Sequence, residues 1–183
     1  ILINATTIRN NISSNLIDFK FENFSDIKVL SDGFDIQEAI ESSYNLNGKE
    51  NIIIIVRSNK RANQYNQQIR KTILSHENKV CVGDLLMITK NNYFWTSPDS
   101  EIPFLANGDI IQILEIFSIK ELYGFEFAEV KIKMVDYIDQ PTFDTVIILN
   151  TLDLDTPSLS YEQSNLLYNE VQNDYIKIKS KYQ

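Results

Sequence analysis

Residues 51–74 read NIIIIVRSNKRANQYNQQIRKTIL and contain the clearest strand–helix signal in the chain. The apolar run that ends at Val56 is too short for a helix core and is rich in β-branched side chains, which predicts a strand buried on both faces. Ser58 and Asn59 are both suitable N-caps for a following helix. Within that helix, apolar residues recur at spacings of three and four and form one stripe: Ala62, Tyr65, Ile69 and Ile73.

The same stretch is basic. No Asp or Glu occurs between Glu50 and Glu77, whereas five Lys and Arg residues do: Arg57, Lys60, Arg61, Arg70 and Lys71. The dipole and free N–H groups of a helix N-terminus favour anions, and in α/β sheets ligands bind at the carboxyl ends of strands. Residues 57–61 therefore predict an anion site. The alternative is an ordinary strand–helix unit with a solvated basic face.

Composition limits the classes of protein to be considered. The chain has 183 residues, a net charge of −8 and a pI near 4.7, which argues against binding nucleic acid through bulk charge but allows a local basic patch. A single Cys and a single His argue against a disulfide framework and a His-rich metal site. No apolar run approaches the ~20 residues of a membrane span. We expect a cytoplasmic protein without metal or membrane contacts.

The first part of the chain alternates between strand and helix patterns. Residues 27–30 predict a short strand, and Asp35 is expected to cap a helix that runs to about Leu46. The strand at 51–56 and its helix follow, so this part predicts an α/β fold with parallel strands. Because the sequence starts at Ile1 rather than Met, we also expect a piece of a longer protein.

After residue 78 the periodicity changes to that of strands, at 79–90, 110–117, 126–135 and 143–152. Asn107-Gly108-Asp109 is the strongest turn signal between them. Short strands joined by turns predict a small antiparallel barrel. A final helix is expected to start at the cap Ser160, to carry Ile178 on its inward side and to end in Lys177, Lys179 and Lys181.

Three stretches resemble one family: VRSNKRANQYNQQIR (56–70), GDLLMITKNNYFW (83–95) and FLANGDIIQIL (104–114). In this order they are similar to RecD-like superfamily I DNA helicases, the group of the exodeoxyribonuclease V alpha subunit. The resemblance implies part of a second RecA-like motor domain, an inserted SH3-like barrel and a helix returning to the motor. The corresponding ranges are 1–79, 80–155 and 156–183.

The resemblance also implies roles for residues in the basic stretch. Arg57 would reach the γ-phosphate of ATP, and five residues would contact the backbone of single-stranded DNA: Ser58, Asn59, Lys60, Arg61 and Asn63. For Asn63, fixing the turn is the alternative. The parent enzyme would use ATP and Mg²⁺ to translocate in DNA recombination or repair. Its partners would be single-stranded DNA, the other helicase domains and nuclease or repair subunits.

The sequence lacks the pattern GxxxxGK[ST], the loop that cradles nucleotide phosphates. We therefore expect no bound cofactor and no ATP hydrolysis by this chain alone.

The aromatic cluster after Lys90 admits two interpretations. Tyr93 and Trp95 could stack on bases, which contributes ~1–3 kcal/mol per base. However, no Lys or Arg follows Lys90 until Lys120, so these rings also fit a barrel core. A non-enzymatic SH3-like module that docks proteins through its exposed Phe94/Trp95 loop is the alternative function.

Overall fold

A computed structural model of the protein describes residues 1–16, 20, 22, 24–96, 102–137, 139, 141–154, 156 and 158–175. The chain divides into two compact units, Ile1–Ile54 and Ile55–Gln183. In the part of the chain so described, no helix combines the length and the apolar composition needed to cross a bilayer.

The first unit contains two helices, α1 at Leu2–Ser13 and α2 at Gly33–Asn47, followed by a 3-10 turn at Lys49–Asn51. The helix predicted from Asp35 is present, but Asp32 caps it, because its Oδ1 accepts a hydrogen bond from the Phe34 amide at 2.7 Å.

Polar contacts link α1 to the segment before α2 in the first unit. Asn4 is buried, and its side chain donates to the Glu22 carbonyl at 3.0 Å and accepts from the Glu22 amide at 3.2 Å. Among the described residues up to Ile54, no apolar side chain is buried.

The two predicted parallel strands at 27–30 and 51–56 are wrong. Both segments are described, and neither forms a strand. Ile53 is 83% exposed and Ile55 is 86% exposed, so the second segment is not buried. A strand forms by hydrogen bonding to a neighbour, and within the described residues the backbone of 53–56 makes no such bond. The composition of residues 51–56 favours a strand, but no described segment pairs with them as a neighbouring strand.

The second unit consists of one helix, a curled sheet and a final helix. Its elements are α3 at Asn59–Thr72, β1 at Leu85–Met87, β2 at Ile110–Leu122, β3 at Phe125–Met134, β4 at Phe143–Ile148, a 3-10 turn at Leu149–Asp153 and α4 at Tyr161–Tyr175. The four strands form one antiparallel sheet in the order β1-β2-β3-β4. This half-barrel agrees with the antiparallel part of the fold prediction.

Register shifts bend the sheet into its curled form. β2 pairs with β3 from Ile111–Met134 to Leu122–Phe125, and its register shifts at two places, after Ile113 and after Ile116. Bulges of this kind bend a strand and increase its twist. A two-residue turn joins the strands, with both Tyr123 and Gly124 at positive φ, as a type I′ hairpin requires.

The core lies on the concave side of the sheet. The alternation predicted for 126–135 is confirmed, since the inward residues of β3 are at most 3% exposed: Ala128, Val130, Ile132 and Met134. Ile111 and Ile113 of β2 pack beside them, and Val80, Ile102, Leu105 and Leu149 complete the cluster. The outward side of β3 carries ion pairs, such as Lys131 to Glu115 of β2 at 3.5 Å.

The final helix begins where the sequence predicts. Ser160 and Gln163 form a reciprocal capping box, in which each side chain accepts a hydrogen bond from the other's amide. The Tyr123 hydroxyl donates to Asp174 of this helix at 2.6 Å, and this bond raises the pKa of Tyr123 to about 12. The expected inward residue Ile178 lies outside the described residues.

Candidate functional site

The N-terminal turn of α3 displays the residues predicted to contact phosphate. All five side chains from Arg57 to Arg61 are exposed. Ser58 is the N-cap: its Oγ accepts from the Arg61 amide at 3.3 Å, and its carbonyl accepts from the Ala62 amide at 3.0 Å. Capping by Ser58 is therefore confirmed, and Asn59 is the first helical residue. Three of the five exposed side chains are cationic, which gives the turn the chemistry of an anion site.

Asn63 differs from these residues because its side chain is engaged with the protein. Its Nδ2 donates to the carbonyl oxygen of Leu154 at 2.5 Å, and the contact is partly buried. Leu154 directly follows the 3-10 turn that continues from β4. This bond joins the beginning of α3 to the far end of the sheet.

Arg70 makes a second connection, at the other end of α3. Its guanidinium donates two hydrogen bonds to the Asp84 carboxylate, from Nε to Oδ1 at 3.1 Å and from Nη2 to Oδ2 at 2.9 Å. Nη2 also donates to the carbonyl of Asn78 at 2.7 Å. Asp84 further accepts from the Cys81 amide at 2.8 Å, and His76 Nδ1 lies 2.8 Å from its Oδ1. The result is a junction between α3 and the segment that enters β1.

The electrostatics of the junction favour an ionised Asp84. Its side chain is only 5% exposed, and burial by itself would raise the pKa of the carboxyl. The hydrogen bonds from Arg70, His76 and the Cys81 amide outweigh this effect and lower the pKa below its ordinary value. Asp84 is thus a buried carboxylate whose charge is balanced by Arg70.

His76, Cys81 and Asp84 each offer one metal-ligand atom, and these atoms lie within 4.8 Å of one another. The surroundings oppose a cation at this place. Both oxygens of Asp84 already accept hydrogen bonds, and the guanidinium of Arg70 lies 3.8 Å from the Cys81 sulfur. A divalent ion would have to displace this positive charge or bind beside it. The cluster fits a hydrogen-bonded junction, and we assign it no metal.

The aromatic residues occupy two different environments. Tyr93 and Phe94 are 67% and 80% exposed. Trp95 is half-buried and packs against the core. Phe94 meets Trp95 edge-on, with ring centroids 5.0 Å apart, and Tyr93 stacks on Phe104 at 4.9 Å. Tyr93 is therefore more accessible to a base than Trp95. Base stacking by either ring stays a prediction.

The ring-bearing loop is held by asparagine side chains. The Phe94 amide donates to Asn92 Oδ1, and the Asn107 amide donates to Asn91 Oδ1, both at 2.8 Å. The turn predicted at 107–109 is confirmed, with Gly108 at a φ of 100°. The turn at 107–109 comes directly before β2. It is only the last part of the connection between β1 and β2, which comprises residues 88–109.

The sequence has no phosphate-cradling loop with its lysine, the motif that binds the phosphates of ATP. Arg57 is exposed just before the N-cap of α3. The contact with the γ-phosphate that the resemblance implies for it stays a prediction.

Sequence reasoning missed the junction of Arg70 with Asp84. The sequence did contain a signal. Arg70 directly follows Ile69, a buried residue of the apolar stripe of α3, and Asp84 interrupts the apolar run between Val80 and Met87. Charges in such positions usually pair.

No protein-family model matches the chain, and no curated protein is significantly similar to it in sequence. The resemblance carried by residues 56–70, 83–95 and 104–114 therefore stays a prediction from sequence.

Proposed function

We propose that the chain is a segment of a RecD-like superfamily I DNA helicase and that it contacts the backbone of single-stranded DNA. The observation that carries the proposal is the exposed turn from Arg57 to Arg61 at the start of α3. Guanidinium, ammonium, hydroxyl and amide groups stand there at a helix N-terminus, whose dipole favours anions. These are the groups that bind phosphate oxygens.

One feature of the fold supports the finer parts of the proposal. The curled antiparallel sheet is compatible with an SH3-like barrel inserted into a motor domain. In the parent helicase, ATP and Mg²⁺ would be bound mainly by other motor segments. The remaining helicase domains, and nuclease or repair subunits, would be its protein partners.

The test measures binding of fluorescein-labelled oligo-dT by anisotropy over a series of salt concentrations. Replacing Lys60 and Arg61 by Ala removes two exposed cations. If both contact phosphates, the slope of log affinity against log salt should fall by roughly 1.4, since each phosphate contact contributes about 0.7 for a single strand. Lys131→Ala/Lys133→Ala, on β3, changes the net charge equally and serves as the control.

Two outcomes contradict the proposal. The first is no binding by the wild-type protein even at low salt. The second is an equal loss of slope in the control, which would assign binding to overall charge.

A second candidate function is a protein-interaction module, favoured by the exposure of Tyr93 and Phe94 on an anchored loop. The same assay separates the two uses of this loop. If the rings stack on bases, Tyr93→Ala/Phe94→Ala should weaken oligo-dT binding by about 5-fold or more per ring. Unchanged affinity would leave the loop available for a protein partner.

A further inference from the structure

Asn63 lies about one and a half turns after the cap Ser58, close to the exposed turn. Its amide donates to the Leu154 carbonyl, which is 91 residues away in sequence. The side chain is partly buried, in contrast to residues 57–61. The donor group is therefore used inside the protein.

A second connection lies on the same side of α3. Arg70 follows Asn63 by seven residues, which is about two turns and about 10 Å along the helix axis. Arg70 is bound to the buried Asp84 and to the Asn78 carbonyl. Ile69, beside Arg70, is only 7% exposed. The helix is thus held to the segment before β1 at one end and to the segment after β4 at the other.

We propose that Asn63 is a positioning residue that holds the turn at residues 57–61 in place for its ligand and does not itself contact nucleic acid. The inference rests on the proposed function. The Leu154 contact lies close to this turn, whereas Arg70 secures the opposite end of α3. Terminal turns of helices open locally unless they are held by packing or hydrogen bonds. A turn that is already ordered loses less entropy when it binds.

The test compares Asn63→Ala with Asn66→Ala in the oligo-dT assay. Asn66 is exposed on the same helix, so its replacement removes the same chemical group without removing the Leu154 contact. We expect Asn63→Ala to weaken binding about threefold to tenfold, the effect of one lost neutral hydrogen bond. The salt slope should keep its wild-type value, because no cation is removed. Asn66→Ala should bind like the wild type.

A merely structural role would not give this result. Circular dichroism at the assay temperature identifies conditions in which all variants are folded, and a lower stability alone leaves the affinity of the folded protein unchanged. Amide hydrogen exchange provides an independent measurement. In Asn63→Ala, the Arg61 and Ala62 amides should exchange faster than in the wild type and in Asn66→Ala.

Each outcome decides a different question. Wild-type affinity in the folded Asn63→Ala variant overturns the positioning role and leaves the proposed function standing. No oligo-dT binding by the wild type overturns the proposed function. In that case, faster exchange at Arg61 and Ala62 still supports Asn63 as the residue that holds the turn, and unchanged exchange overturns it.

Discussion

Replacing Arg70 by Met tests whether the junction at Asp84 holds α3 to the sheet. The substitution keeps an unbranched apolar side chain but removes every hydrogen bond of the guanidinium, including two to the Asp84 carboxylate and one to the Asn78 carbonyl. Arg70 and Asp84 side chains are 16% and 5% exposed, so the carboxylate would remain buried without its cation. Removing one partner of a buried ion pair costs about 3–5 kcal/mol.

In the wild type, His76 and the Cys81 amide also hydrogen bond to the Asp84 carboxylate. These partners are left in place by the substitution, so we expect a loss at the lower end of the range, about 3 kcal/mol. Urea unfolding followed by the fluorescence of Trp95, the only tryptophan, measures the loss in free energy of unfolding. Lys131→Met is the control. It breaks an ion pair whose side chains are 39% and 56% exposed, and such pairs contribute about 0–1 kcal/mol.

The reasoning is refuted if Arg70→Met loses less than about 1 kcal/mol, as the exposed control does. Arg70→Met/Asp84→Leu gives a further check. Removing both charges leaves no unpaired carboxylate, so the double variant should be more stable than the sum of the two single effects predicts.

Four further predictions concern the second unit. The pKa of Asp84 is lower in the folded protein than in the unfolded chain, where it is near 3.9. The ionised carboxylate therefore stabilises the fold fully above the unfolded pKa, and this stabilisation is lost as pH falls through the folded pKa. Asp84→Asn should flatten the loss of stability in acid, measured by urea unfolding from pH 7 to 3. Tyr123 should titrate near pH 12, and Asp174→Asn should return its pKa toward the ordinary 10, as followed by NMR of labelled tyrosine rings. Gly124→Ala should cost about 1 kcal/mol in thermal unfolding, because Gly124 has a φ of 75°. Ile113→Ala should cost about 2–5 kcal/mol, since Ile113 is 0% exposed; a cost below 1 kcal/mol would contradict its central position in the core.

Local patterns predicted the elements whose structure is determined locally. The alternation of β3 and the caps Ser58 and Ser160 were all visible in the sequence, because side-chain period and capping depend on neighbouring residues. The hairpin at Tyr123-Gly124 was missed because a tyrosine at positive φ departs from the usual Asn-Gly or Asp-Gly signal.

Contacts between distant residues were not predictable in the same way. The bond from Asn63 to Leu154 spans 91 residues, and no periodicity relates the two positions. Asp84 and Arg70 are 14 residues apart, but their pairing depends on how the loop between them folds. Residues 51–56 show the converse case, in which strong strand propensity is not realised because a strand also requires a neighbour.

The lack of buried apolar side chains among the described residues of the first unit has a calorimetric consequence. The heat capacity change of unfolding comes mainly from apolar surface that becomes exposed to water. Helices α1 and α2 keep large side chains in solvent, such as Phe34 at 87% and Leu46 at 80% exposure. Their melting should therefore add little heat capacity. Among the described residues, most of the curvature in stability with temperature should originate in the curled sheet and its core.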